Sequence, residues 1–189
     1  MLYDALEASG LLANTCLILT SDHGEMNERG VSGHGTNLLY EPVLRVPLLI
    51  FEPGREVGVD VYDNVSSIDL LPTLAHLTGQ PIPDWAEGAV LPPFAPLPKR
   101  DVYAVRATQS LPSAPLTIAS LAQVTENYKL HYYLGYKKLP EEGMVKLFDI
   151  KADPEKMTDL SATKKSITDE LLAQLKAKLQ EVNQPYLGG

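Results

Sequence analysis

Asp22 and His23 are the residues of this sequence whose types and positions most directly allow metal chemistry. They follow the apolar run Cys16–Leu19, which predicts a strand of a parallel sheet that is buried on both faces. Loops at the carboxyl edge of such a sheet hold ligands on a rigid base. A carboxylate beside an imidazole can bind one cation, and Gly24 lets the chain turn away without a Cβ. We therefore predict that Asp22 and His23 are metal ligands whose side chains converge on one point.

His34 is the second candidate for chemistry. It lies between Gly33 and Gly35, so the backbone can come close to a ligand. Imidazole titrates near neutral pH, so it can donate a hydrogen bond to an anionic oxygen or protonate a leaving group. The stretch from Gly24 to Gly35 is polar and has no periodicity, which predicts an irregular loop. We predict a catalytic role for His34 and a structural role, as a loop cap, for Glu25.

Four motifs in a fixed order resemble the sulfatase family of the alkaline-phosphatase-like superfamily. They are Thr20-Ser21-Asp22-His23-Gly24-Glu25, Gly33-His34-Gly35, Leu39-Tyr40-Glu41-Pro42 and Leu44-Arg45-Val46-Pro47-Leu48-Leu49-Ile50. The resemblance implies a hydrolase of sulfate esters in which Asp22 and His23 bind a divalent cation. Many sulfatases have a Lys that contacts the anionic group of the substrate where this chain has His34. Calcium is favoured by the resemblance, while manganese and zinc stay open because Asp plus His is a mixed donor set.

The nucleophile of the family is a Cys or Ser in the motif C/S-x-P-x-R. Cys16 lacks both the Pro and the Arg, and we expect it to be a small buried hydrophobe. Ser113 is followed by the Pro, but Thr117 stands in place of the Arg. The resemblance therefore implies that the nucleophile and a pair of metal-binding Asp residues belong to a half of the fold that this sequence lacks. We expect the chain alone to be inactive.

Two alternative functions stay open at this stage. Phosphodiesterases and phosphoethanolamine transferases of the same superfamily also use an Asp-His-Gly turn, and a Thr nucleophile would favour their phosphoryl chemistry. The chain can also be a non-catalytic structural or interaction fragment, because it has metal ligands but no nucleophile.

The order of predicted elements indicates an α/β fold in two parts. Residues 1–98 are predicted to be a remnant of an alkaline-phosphatase-like α/β/α core, with a helix over Ser66–Gly79 and a proline-rich end. Residues 99–189 are predicted to be a small C-terminal subdomain, in which an antiparallel sheet is covered by a helix over Ser166–Val182. The motif Asp153-Pro154-Glu155 resembles a hairpin of the sulfatase C-terminal subdomain.

Composition limits the partners and the compartment. The 189 residues are 44% hydrophobic with a formal net charge of −8, which argues against nucleic-acid and anionic-membrane partners. The sequence has no apolar run of membrane-spanning length and no signal-peptide pattern, so we expect a soluble chain of unknown localisation. The expected partner is an anionic sulfate-ester or phosphate-ester substrate. We also expect self-association through the apolar surface that the missing half would cover.

Overall fold

The computed structural model describes residues 2–34, 36–108 and 114–187, and the contacts between Cα atoms divide the chain into two compact units. The first unit contains Met1–Thr36 and Glu41–Val61, and the second contains Asn37–Tyr40 and Tyr62–Gly189. Ser113 and Gly35, both named above, lie outside the described residues. The domain boundary between residues 98 and 99 stays a prediction.

The first unit is built from short elements. Strands β1 and β4 pair antiparallel with Ile18 opposite Ile50, and β2 and β3 form a separate hairpin. The element bounds are α1 Leu2–Ala8, β1 Leu17–Thr20, β2 Asn27–Glu28, β3 Val31–Ser32, α2 Glu41–Leu44 and β4 Leu48–Phe51.

The environment predicted for β1 differs from the one observed. Among the described residues β1 pairs only with β4, and the pairing is antiparallel instead of parallel. Leu19, Leu49 and Phe51 are 50%, 48% and 42% exposed, so the strand is not buried on both faces. An apolar run predicts a strand that can be covered, but it does not say which part of the chain covers it. Here the two strands leave one apolar face open.

Cys16 is exposed, so the expectation that it is a buried hydrophobe is wrong. Desolvation raises the pKa of its thiol, and the negative charge of Glu52 raises it further. A thiol held protonated is a poor nucleophile. The structure therefore agrees with the sequence in giving Cys16 no catalytic role.

The second unit is an antiparallel sheet with a long helix, as the sequence predicted. The strand order is β5-β6-β7-β8, and each strand pairs antiparallel with its neighbour in sequence. The element bounds are α3 Leu70–Leu77, β5 Val102–Ala107, β6 Ala119–Val124, β7 Tyr128–Leu134, β8 Met144–Asp149 and α4 Lys165–Asn183. The sequence contained the alternating patterns of β5 and β7, the mostly apolar run of β6 and the helical pattern of α4.

Helix α4 packs on one face of this sheet. Leu171 and Leu175 of α4 are 7% and 3% exposed and belong to the core cluster that contains Leu130 and Leu147. Because strand side chains alternate between faces, the neighbouring positions of β7 lie on the other side. The hydrophobic face of α4 therefore covers one face of the sheet only.

The other face of the sheet is packed by Tyr40, which belongs to the second unit although it lies between two stretches of the first. The ring of Tyr40 meets those of His131 and Phe148 edge-on, with centroids 5.4 and 6.0 Å away. His131 Nδ1 lies 3.0 Å from the Tyr133 hydroxyl, and burial is the largest cause of the raised pKa of Tyr133. Tyr40 thus closes a buried polar and aromatic layer.

The segment before β5 carries α3 and the proline-rich stretch. A 3-10 turn over Ser67–Asp69 precedes α3, and no helix or strand is assigned between Leu77 and Val102. Proline lacks the backbone N–H that helices and sheets use, which accounts for the lack of both kinds of element in this proline-rich stretch. None of the helices found within residues 2–34, 36–108 and 114–187 combines the length and the apolar character that crossing a bilayer requires.

Candidate active site

Asp22 and His23 lie on the exposed loop that follows β1, at the strand end where the sequence placed them. Asp22 Oδ1 accepts a hydrogen bond of 2.9 Å from the His23 amide, and this bond is the largest cause of the lowered pKa of Asp22. Asp22 Oδ2 lies 3.6 Å from His23 Nε2. An ionised carboxylate next to an imidazole nitrogen is a donor pair that a cation can use.

Gly24 fixes the loop that carries this pair. A Cβ at Gly24 would lie 2.0 Å from the carbonyl oxygen of Pro42, so no other residue fits this position without a shift of the backbone. The Gly24 amide donates a hydrogen bond of 2.9 Å to the carbonyl oxygen of Val43 in α2. We predicted that position 24 needs glycine because the chain turns there. The structure shows that glycine is needed because two backbone segments approach each other closely.

The carbonyl group of Gly24 determines which ring nitrogen of His23 carries the proton. His23 Nδ1 lies 3.0 Å from the carbonyl oxygen of Gly24, and a carbonyl oxygen only accepts hydrogen bonds. Nδ1 therefore carries the proton, and in the neutral ring Nε2 keeps the lone pair. Backbone carbonyls orient metal-binding imidazoles in this way in many metalloproteins.

The stretch predicted to be an irregular loop contains the hairpin of β2 and β3, so that prediction is wrong. Its two-residue turn is Arg29-Gly30, with φ angles of 56° and 73°. Positive φ at both central residues is the signature of the type I′ turn that suits tight hairpins. The pairing of Asn27 with Ser32 continues outward, because the Gly33 amide donates a hydrogen bond of 2.8 Å to the Met26 carbonyl. The next pair in this register is Glu25 and His34.

Glu25 and His34 do meet. His34 Nδ1 donates a hydrogen bond of 2.9 Å to Glu25 Oε2, and both side chains are about half exposed. The rings of His34 and His23 lie 4.2 Å apart between centroids, tilted by 32°. Ligand atoms of His23, Glu25 and His34 all lie within 4.8 Å of one another. The hairpin therefore returns His34 to the loop that carries Asp22 and His23.

Sequence reasoning missed the contact of Glu25 with His34, because we predicted Glu25 to be a loop cap. The signal was available, because Glu25 and His34 are equally spaced about the Arg29-Gly30 turn. Their contact needs only a two-residue hairpin turn to be recognised. The roles predicted for Asp22 and His23 as metal ligands and for His34 in catalysis stay predictions.

Comparisons with known proteins find similarity to sulfatases. Residues 1–80 match the family model Sulfatase. The ulvan-active sulfatase of Formosa agariphila is 30% identical over 98% of this chain, and arylsulfatase K of Bos taurus is 28% identical over 92%. Choline-sulfatase of Rhizobium meliloti is 30% identical over 89%. The chain spans only 37%, 32% and 31% of the lengths of these three relatives.

Solved structures agree with the sequence relatives. A structure determined with its substrate D-glucosamine-2-N,6-O-disulfate is 25% identical and has a TM-score of 0.66, and the alignment covers 100% of this chain and 39% of that one. A phosphonate monoester hydrolase from Silicibacter pomeroyi has a TM-score of 0.75 at 24% identity, and the alignment covers 96% of this chain and 38% of the hydrolase chain. This likeness supports the fold alone. The predicted alkaline-phosphatase-like fold is confirmed. Over most of its length the chain is similar in sequence to sulfatases, as the motifs around Asp22 and Asp153 predicted.

Proposed function

We propose that this chain supplies part of the active site of a metal-dependent sulfatase that hydrolyses sulfate esters. The observation that carries the proposal is the position of His34, whose ring lies 4.2 Å from that of the predicted metal ligand His23. The relatives named as sulfatases match over most of this chain and support the same chemistry. Because the chain spans about a third of each relative, the activity belongs to a larger protein in this proposal.

Asp22 and His23 fit a divalent cation by the chemistry of their donors. The Asp22 carboxylate is exposed, and hydrogen bonding lowers its pKa, so it is ionised at neutral pH. His23 presents Nε2 because Nδ1 donates to Gly24. A bound cation would hold the anionic group of the ester and neutralise charge that develops on its oxygens. Calcium remains the favoured ion from the family resemblance, and manganese and zinc remain open because of the nitrogen donor.

His34 is the proposed contact to the substrate. Its Nδ1 is occupied by Glu25 Oε2, which leaves Nε2 for an ester oxygen. In the doubly protonated ring Nε2–H can donate a hydrogen bond to a sulfate oxygen or pass its proton to the leaving oxygen. Glu25 then acts on the reaction only through the orientation of His34.

The test begins with the reading frame upstream of Met1. A Cys or Ser followed by x-Pro-x-Arg supports the proposal, and the protein that includes it should hydrolyse an aryl sulfate. Both Asp22→Ala and His34→Ala should lower that rate by several orders of magnitude, because residues of one catalytic unit act together. A Thr nucleophile with hydrolysis of aryl phosphate alone would replace the proposal with a phosphodiesterase or transferase. A frame without a nucleophile motif would favour the non-catalytic fragment.

The 189-residue chain alone is the matching control. It contains no C/S-x-P-x-R motif, so it should hydrolyse neither aryl sulfate nor aryl phosphate at an enzyme-like rate with calcium, manganese or zinc. Turnover by this chain that disappears in both Asp22→Ala and His34→Ala would contradict our assignment of the nucleophile to another part of the protein.

A further inference from the structure

We propose that His23, Glu25 and His34 form a binding site for a transition-metal ion of the zinc class. This ligand set shares His23 with the Asp22–His23 pair of the proposed function, so the Nε2 lone pair of His23 serves one site at a time. The inference does not require sulfatase activity. Ligand atoms of the three residues lie within 4.8 Å of one another, and all three residues are exposed. Two imidazole nitrogens and one carboxylate oxygen are the protein ligands of many zinc sites that keep an open position.

The hairpin holds two of the ligands close to the required separation. In a tetrahedral zinc site with bonds of about 2.0 Å, neighbouring ligand atoms lie about 3.3 Å apart. Glu25 Oε2 and His34 Nδ1 are 2.9 Å apart, and the Nδ1 proton lies between them in a hydrogen bond that His34 donates. A zinc ion can take the place of that proton, which moves to Nε2 of the neutral His34 ring. The separation then has to widen by only about 0.4 Å.

The third ligand is oriented by the backbone. Because the His23 Nδ1–H group donates to the Gly24 carbonyl, Nε2 carries the lone pair that binds a metal. Gly24 is itself held against α2 by its hydrogen bond to Val43. The His23 ring needs only a side-chain adjustment to bring Nε2 to the ion, since its centroid already lies 4.2 Å from that of His34.

The donor set discriminates between metals. Calcium takes six to eight oxygen ligands, and this site offers one carboxylate beside two nitrogens. Imidazole suits zinc, copper and nickel, so the three residues should prefer zinc to calcium. The exposed position leaves room for a water molecule as fourth ligand. A bound zinc ion would also take His34 Nδ1, the nitrogen that now donates to Glu25. Zinc would therefore change the protonation of the His34 ring whose Nε2 is proposed to contact the ester.

The experiment is a titration of the 189-residue chain with Zn²⁺ and, separately, with Ca²⁺, followed by calorimetry. We expect one zinc ion per chain, and each of Glu25→Gln and His34→Asn should weaken its binding at least about tenfold. His76→Asn is the matched control, because His76 is exposed on α3 and should leave binding unchanged. The absorption spectrum of bound Co²⁺ should report four-coordinate geometry and lose intensity in both ligand variants. Circular dichroism confirms that each variant is folded.

Asp22→Asn separates this inference from the proposed function. Zinc binding that survives Asp22→Asn but weakens in Glu25→Gln and His34→Asn supports the three-residue site. Binding that is lost only in Asp22→Asn would overturn the inference and leave the Asp22–His23 pair standing. The absence of zinc binding, or equal binding in the parent, Glu25→Gln and His34→Asn, would also overturn it, without bearing on sulfate hydrolysis by the larger protein.

Discussion

Asp69 and Arg100 form an ion pair that joins the start of α3 to the end of the proline-rich stretch. The Asp69 side chain is fully buried and that of Arg100 is 20% exposed. Asp69 also accepts hydrogen bonds from the amides of Ser66 and Ala89, at 2.8 and 2.9 Å. One carboxylate thus holds three separated parts of the segment between residues 66 and 100.

The variant Asp69→Asn should lower the free energy of unfolding by about 3 kcal/mol, because it leaves the largely buried guanidinium of Arg100 without a negative partner. Urea unfolding followed by circular dichroism measures this value. Asp84→Asn in the same proline-rich stretch is the control, since Asp84 is exposed. A loss below about 0.5 kcal/mol for Asp69→Asn, the range typical of surface changes, would show that the pair does not hold the segment.

Leu171→Asp and Leu175→Asp should each destabilise the chain by about 3 to 5 kcal/mol, because they place a charge between α4 and the sheet. Both leucines belong to the core cluster that includes Leu130. Ala173→Asp places the same charge on an exposed position of α4 and should cost far less. If Leu171→Asp and Leu175→Asp melted at the temperature of the parent, the packing of α4 on the sheet would be wrong.

Asp153 should contribute to stability in a way that depends on pH. Its Oδ2 accepts a hydrogen bond of 2.8 Å from the Thr158 amide, and this is the largest cause that lowers its pKa from the ordinary value of 3.8. A folded-state pKa below the unfolded value means that the stabilisation is present above pH 3.8 and is lost as the pH falls through the folded value.

The variant Asp153→Asn should therefore be less stable than the parent at pH 7, and the difference should shrink below pH 3.8. Thermal melts of both proteins across this range measure the effect. Asp63→Asn, which removes an exposed carboxyl group elsewhere, controls for the loss of one surface charge. A difference between Asp153→Asn and parent that is the same at pH 7 and pH 3 would contradict the role given to the Thr158 bond.

Self-association of the chain should depend on the open face of β1 and β4. Leu19 and Leu49 pair across these strands and are 50% and 48% exposed. Leu49→Lys should shift the chain toward monomer in sedimentation velocity experiments, because it adds charge to an apolar contact surface. Val57→Lys is the control, since Val57 is 75% exposed but lies outside the strands. An association state that Leu49→Lys leaves unchanged would place the contact on another surface.

The sequence predicted the elements whose hydrophobic pattern is visible in their own residues. Helix α4 was found because apolar residues repeat along one face, β5 and β7 because apolar and polar residues alternate, and β6 because it is mostly apolar. The exposure of β1 was not predictable in the same way. The run Cys16–Leu19 is apolar whether or not another segment covers it, and in this chain its outer face stays open.

The candidate site was also predictable only in part. Asp22, His23 and His34 were chosen from residue type and from the glycines beside them, and the structure brings His34 to His23. The contact of Glu25 with His34 was missed because the hairpin strands are two residues long, too short for an alternating pattern to appear. Only the turn Arg29-Gly30 encodes the register, and an Arg at positive φ is uncommon enough that sequence statistics do not suggest it.

Because Tyr40 belongs to the second unit, dividing the chain at one position does not separate the two units. The chain passes from the first unit to the second after Thr36, returns after Tyr40 and leaves again after Val61. A recombinant fragment that starts at residue 62 would therefore lack the ring that packs on His131 and Phe148, and it would expose both. Gene fusions and domain exchanges among such chains have to carry residues 37–40 along, or supply them as a separate peptide that the sheet can capture.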